Sequence, residues 1–176
     1  MGRLEVRTAI TEAFTNADLQ YVGKVHSARP EIIQEDDYER NRLGEAVESG
    51  AGSSAVLVVN LPSDDRKRRA LTGRGAVNDT EIHRILIEIF FASSGGEAVK
   101  AQEDYDTIVD GIIAFVRANP NMANPTVVWS AGEYDAGVQH QQGAPYTDAD
   151  GLTVFIAGAV AYEAWEWIAG PVTAEE

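Results

Sequence analysis

Thr80–Phe91 reads TEIHRILIEIFF, and its alternation decides the fold. Ile85, Ile87, Ile89 and Phe91 fall on one face of a strand; Arg84, Leu86, Glu88 and Phe90 fall on the other. Upstream, Ala55–Leu61 reads AVLVVNL, a continuous apolar run rich in β-branched residues, as expected of a well-buried strand. The two segments predict an antiparallel hairpin. Its connection, residues 62–80, is far longer than the about 2–5 residues of an ordinary hairpin loop. That spacing predicts a projecting hairpin loop.

The projecting segment is chemically distinct. DDRKRRALTGRG, Asp64–Gly75, holds Arg66, Lys67, Arg68, Arg69 and Arg74, in a chain with 14 basic and 28 acidic residues and a formal net charge of −14. Basic runs point to nucleic acid or to an acidic protein surface. The acidic remainder argues against nucleic acid as a partner for the whole surface, because its field repels phosphate.

Working outward, Val6, Ile10, Ala13, Phe14 and Ala17 recur with helical spacing and predict a first helix. QYVGKVHSARP predicts a short strand that ends at Pro30. Residues 31–54 read as a surface insertion outside the core, with a charged helical stretch from Glu35 to Glu48 and a hinge at SGAGSS. After SSGG, the residues Ala101, Tyr105, Ile108, Val109, Ile112, Phe115 and Val116 form an apolar helical stripe, with Glu103, Asp104, Asp106 and Asp110 turned outward. Asn119–Pro120 stops that helix. PTVVWSAGEY predicts a strand, DAGVQHQQGAPYTDADG a polar loop, and LTVFIAGAVAYEAWEW a long last strand; residues 169–176 read as a flexible tail.

The expected fold is a single α+β domain over residues 1–176. One mostly antiparallel sheet packs against two helices, with a long basic hairpin tip and an insertion after the first strand. No apolar stretch approaches the about 20 residues of a membrane span. The N-terminal residues MGRLEV carry no signal-peptide run and no myristoylation pattern. The absence of cysteine removes disulfides and thiolate chemistry.

Catalytic and cofactor signatures are missing from the sequence. His26, His83 and His140 have no metal-ligand spacing, and His83 reads as a structural strand residue. DADG, Asp148–Gly151, fails as a calcium loop, because alignment puts Tyr146 and Ala157 at ligand positions; it reads as a turn into the last strand. The lone Gly-x-Gly of TGRG fits neither phosphate-binding pattern. No cofactor, metal or enzymatic activity is expected. Protein-interface candidates are Arg66, Lys67, Arg68, Arg69 and Arg74, with the aromatics Tyr146, Trp165 and Trp167. For the two tryptophans, covering a sheet edge or a helix end is an equal reading.

In order, VRTAITEAFTNA, the hairpin AVLVVNLP…TEIHRILIEIFF, the helix AQEDYDTIVDGIIAFVRANP, and the strands VVWSAGEY and GLTVFIAGAVAY resemble the tail terminator proteins of long-tailed bacteriophages. The resemblance spans most of the chain outside 31–54 and lies in element order and texture. It implies a structural virion protein without catalytic residues. Such a protein is a homohexameric ring on the head-proximal end of the tail tube. It stops tube polymerisation and offers a docking surface to the neck or head. The implied partners are other copies of the chain, the tail tube protein and a neck or head-completion protein. DNA passes through the ring without specific binding, and no membrane is involved. The implied location is the virion, and the host cytoplasm during assembly. The alternatives are another head–tail connector protein, such as a neck, head-closure or tail-completion protein, or a nucleic-acid-binding module that uses the basic hairpin.

Overall fold

A computed structural model of the chain describes residues 3–33, 35–38, 52–70, 77–95, 97–119, 127–128 and 137–169. For 35–36, 64–70, 77–80, 127–128 and 166–169 it describes the backbone alone. The elements run α1 (Arg3–Asn16), β1 (Val22–His26), α2 (Glu35–Tyr38), β2 (Gly52–Ala70), β3 (Val77–Ser94), α3 (Ala98–Ala118), β4 (Val127–Val128), β5 (Gln139–Gln142), β6 (Tyr146–Thr147) and β7 (Thr153–Ala169). The class is α+β, as the sequence predicts. One sheet has the order β1-β2-β3-β7-β4, with β5 and β6 also paired to β7.

The alternation of β3 sorts the sheet into two faces. Ile85, Ile87, Ile89 and Phe91 face α1 and α3 together with Ala55, Leu57 and Val59 of β2 and Val154, Ile156 and Val160 of β7. Val6, Ile10 and Phe14 of α1 and the α3 stripe close this core from the helix side. Phe14 and Phe115 meet there with ring centroids 5.0 Å apart. The opposite face carries Val56 and Val58, also fully buried. Ser54 on that face donates to the Tyr38 carbonyl at 2.8 Å. At the close of α3, Asn119 donates from both its backbone N–H and its side chain to the Phe115 carbonyl.

β1 joins the sheet parallel to β2, with His26 opposite Val58, while the other described pairs are antiparallel, in keeping with a mostly antiparallel sheet. Several other expectations are corrected. The hinge read at SGAGSS does not extend past Gly52: Gly52–Ser54 is strand, and Ser53 and Ser54 are buried. Nor does the segment 31–54 lie wholly outside the core. Asp37 is buried, bonds Lys24 and lies 3.5 Å from His26 Nε2. A side chain at Gly23 would stand 3.0 Å from the carbonyls of both Asp37 and Tyr38, so α2 sits tight against β1. Residues 39–51 lie outside the described residues.

The connection 62–80 is not a loop throughout. β2 and β3 stay paired out to Ala70 opposite Val77, after one irregularity between Asn60 and Ser63. β7 accompanies β3 as far as Ala169 opposite Asn78, so Ala169 belongs to a strand rather than to the tail. Residues 71–76 and 170–176 lie outside the described residues. The expected polar loop contains two short strands, β5 and β6, on the edge of β7. Every residue of both is exposed, so no apolar period announces them, and backbone pairing to β7 makes them strands.

Candidate interaction surface

The basic segment is built into the sheet. Arg66 stands opposite Glu81, Lys67 opposite Thr80, Arg68 opposite Asp79 and Arg69 opposite Asn78. β3 continues to β7 at these levels, with Glu81 opposite Glu166 and Thr80 opposite Trp167. Among the described residues β1 pairs β2 only between Ala55 and Val58, so the basic part of β2 forms an edge. Charged residues on an edge strand oppose strand addition by another chain. That role needs no ligand and accounts for part of the run. Arg74 lies outside the described residues.

The sheet face away from the helices is open over β3 and β7. Two grooves lie along it. One, of about 290 Å³, runs between Pro62, Leu86, Ala161 and Gln139. Arg84 Nε and Glu163 Oε1 approach to 3.7 Å beside it. The other, of about 480 Å³, is floored by Phe90, Ala157 and Ala159 and rimmed by Arg29 and Gln142. The Arg29 guanidinium lies 5.6 Å from the Phe90 ring centroid, within cation–π range. Asn60 donates to Glu88 at 2.7 Å on this face.

Tyr146, in β6, stacks on Phe155 at 5.1 Å with planes 17° apart and is 60% exposed. Burial chiefly, with Tyr146 and Asp37 adding, raises the pKa of Tyr38. The aromatics Tyr38, Tyr146, Phe155 and Phe90 thus gather toward one end of the open face. Trp165 is half-buried on β7, opposite Ile82. Trp167 holds the register position opposite Thr80, nearest the basic run. Tyr146 and the two tryptophans therefore do not form one site: they sit at opposite ends of β7. Sequence reading missed Arg29, Phe90 and Phe155; the face alternation of β3 was the one signal that placed Phe90 there.

The remaining polar residues hold the scaffold. Asp104, expected to face outward, is buried instead: Ser53 donates to it at 2.5 Å and Lys100 Nζ lies 3.1 Å away. His140, expected in a polar loop, sits on β5 with its Nε2 3.1 Å from the Tyr105 hydroxyl. His83 is fully buried in β3. Asp148 closes the turn before β7, its carboxylate accepting from the Thr153 N–H above all and from the Leu152 N–H, which lowers its pKa. This is the turn expected in place of a calcium loop. Among the described residues, no group of three or more His, Asp or Glu is placed to hold a metal ion. No helix among them is long and apolar enough to cross a membrane.

No protein-family model matches the sequence, and no curated protein matches it.

Proposed function

We propose that the chain is a structural virion protein of a long-tailed bacteriophage. In this reading it is a tail terminator that closes into a ring on the head-proximal end of the tail tube. It ends tube growth there and presents a docking surface to the neck. The reading rests on the element order and on one observation above all. An acidic chain extends three strands of its sheet and sets four of its 14 basic residues in succession on that extension. A protein that closes on neighbouring chains can use such a feature as a contact surface. The open face over β3 and β7, with its exposed Tyr146, supplies a second surface of the kind that assembly needs.

The decisive measurement is the mass of the purified protein across a concentration series, with and without DNA fragments at two salt concentrations. A ring near six times the 19.0 kDa chain, with no DNA shift, is expected. Replacing Arg66, Lys67, Arg68 and Arg69 together by Gln should weaken that ring's assembly or its docking while the isolated fold stays intact. The same basic extension favours a second reading, a nucleic-acid-binding module. A monomer whose DNA complex weakens steeply with salt would replace the first reading by that one.

A further inference from the structure

We propose that the basic extension of one copy docks, through Lys67 and Arg69, on the carboxylates of α3 in a second copy. This deepens the ring-forming part of the reading above and rests on it for the expectation that copies associate.

The inference starts from register. Strand positions alternate between two faces. Arg66 and Arg68 stand opposite Glu81 and Asp79, so on their face of the ladder each basic position has an acidic cross-strand neighbour. Glu166 follows on the third strand. Lys67 and Arg69 stand opposite Thr80 and Asn78, followed by Trp167 and Ala169. Among the described residues of these three strands, the second face therefore carries two basic positions and no acidic one at the same levels; Asp65 lies one step nearer the core.

The pairing of β3 with β7 runs without a register break, so Thr80 and Asn78 share the face of Leu86 and Glu88. That is the open face of the sheet. The helices lie on the other side, against Ile85, Ile87 and Ile89. The positions of Lys67 and Arg69 thus lie on the sheet face opposite the helix layer.

The acidic complement is on that helix layer. Glu103, Asp106 and Asp110 are all exposed on α3, spaced three and four residues apart and therefore on one stripe. At 1.5 Å per residue Asp106 and Asp110 are about 6 Å apart along the helix. Lys67 and Arg69 are about 7 Å apart along the strand. The spacings match, but the sheet stands between the two surfaces within one chain. Only a second copy can bring them together. Contact between different surfaces of identical chains is heterologous and closes into a ring when its rotation permits. Exposed ion pairs are individually weak, so the contact is salt-sensitive and steers assembly more than it holds it.

Charge reversal tests the pairing. The variants are Lys67→Glu with Arg69→Glu; Glu103→Lys with Asp106→Lys and Asp110→Lys; and both sets in one chain. Arg66→Glu with Arg68→Glu is the control for the other face. Sedimentation gives the concentration of half-assembly at low and moderate salt, and thermal unfolding confirms that each variant is folded. Each of the first two sets should raise that concentration about tenfold. The combined chain should recover most of the loss, and the control should cost far less. The proposal is overturned if the native protein stays monomeric throughout, if the combined chain is not restored, or if the control costs as much as Lys67→Glu with Arg69→Glu. Restored assembly by a protein that does not cap tail tubes keeps the contact and removes the terminator reading. Capping by a protein whose combined variant stays defective does the reverse.

Discussion

The hydroxyl of Tyr105 occupies the space that a side chain on Gly158 would fill. An ideal Cβ at Gly158 would stand 1.8 Å from the Tyr105 Oη and 2.7 Å from the Gln141 carbonyl. The missing side chain lets the ring of α3 settle against β7, edge-on to Phe91 at 5.9 Å, and lets its hydroxyl reach His140 on β5. One glycine therefore ties the long helix to the edge of the sheet.

Gly158→Ala should consequently be costly for so small a change. The ring must move, and with it the contact to His140. Overpacking of this kind costs about 1–3 kcal/mol, and in a chain of this size that lowers the melting midpoint by about 3–10 °C. Calorimetry of the variant checks this; an unchanged midpoint would mean that the ring yields freely.

Tyrosine ionisation should reveal the same packing. Burial, with Asp106 adding, pushes the Tyr105 phenol up to about 12, and burial also raises Tyr162. An unfolded phenol titrates near about 10. The stability linked to Tyr105 is therefore fully present below about pH 10 and lost as pH rises through about 12. Alkaline titration followed by phenolate absorbance should show late groups that ionise together with unfolding. Tyr105→Phe should remove one of them and flatten the stability curve in that window. It also deletes the bond to His140, worth about 1 kcal/mol.

Asp104 joins α3 to the start of β2. It accepts from Ser53, whose Oγ lies 3.0 Å from Ser93 Oγ, so three polar groups share one buried pocket. Asp104→Ala removes the carboxylate that accepts from Ser53, leaving that buried hydroxyl only Ser93, and should cost about 2 kcal/mol in chemical denaturation. Asp104→Asn keeps an acceptor for Ser53 and should cost roughly half as much, since only the charge opposite Lys100 goes. Equal losses in the two variants would show that charge, not the hydrogen bond, is what matters.

Asp37 should control how firmly α2 is held against β1. Its carboxylate meets Lys24, which is about half exposed, and His26, so removal should cost about 1–2 kcal/mol rather than the larger penalty of a fully buried pair. Asp37→Ala should speed proteolytic cleavage between residues 27 and 51 several-fold and lower the melting midpoint by a few degrees. Cleavage at the native rate would place the anchor elsewhere, at the Ser54–Tyr38 bond for example.

The elements legible in the sequence were those whose pattern is local. The alternation of Ile85, Ile87 and Ile89, the apolar run of β2 and the stripe from Ala101 to Val116 each carry their own period, and the structure buries those residues. The turn at Asp148 was readable for the same reason, as its bonds span only a few residues. Asp104 misled because its outward reading followed from charge alone, while its partner Ser53 lies far away in sequence.

What only the tertiary structure decided concerns partners brought from a distance. Backbone pairing along β7 makes strands of Gln139–Gln142 and Tyr146–Thr147, which no apolar pattern marks. The ladder, not the composition, separates Lys67 and Arg69 from Arg66 and Arg68 by giving each a different neighbour on β3. The void at Gly158 has meaning only once the Tyr105 ring lies over it. By itself the sequence determined which residues leave water, because hydrophobic periodicity is written along the chain. It did not determine which polar and small residues meet, because hydrogen bonds and close contacts are settled by register and packing between segments far apart in it.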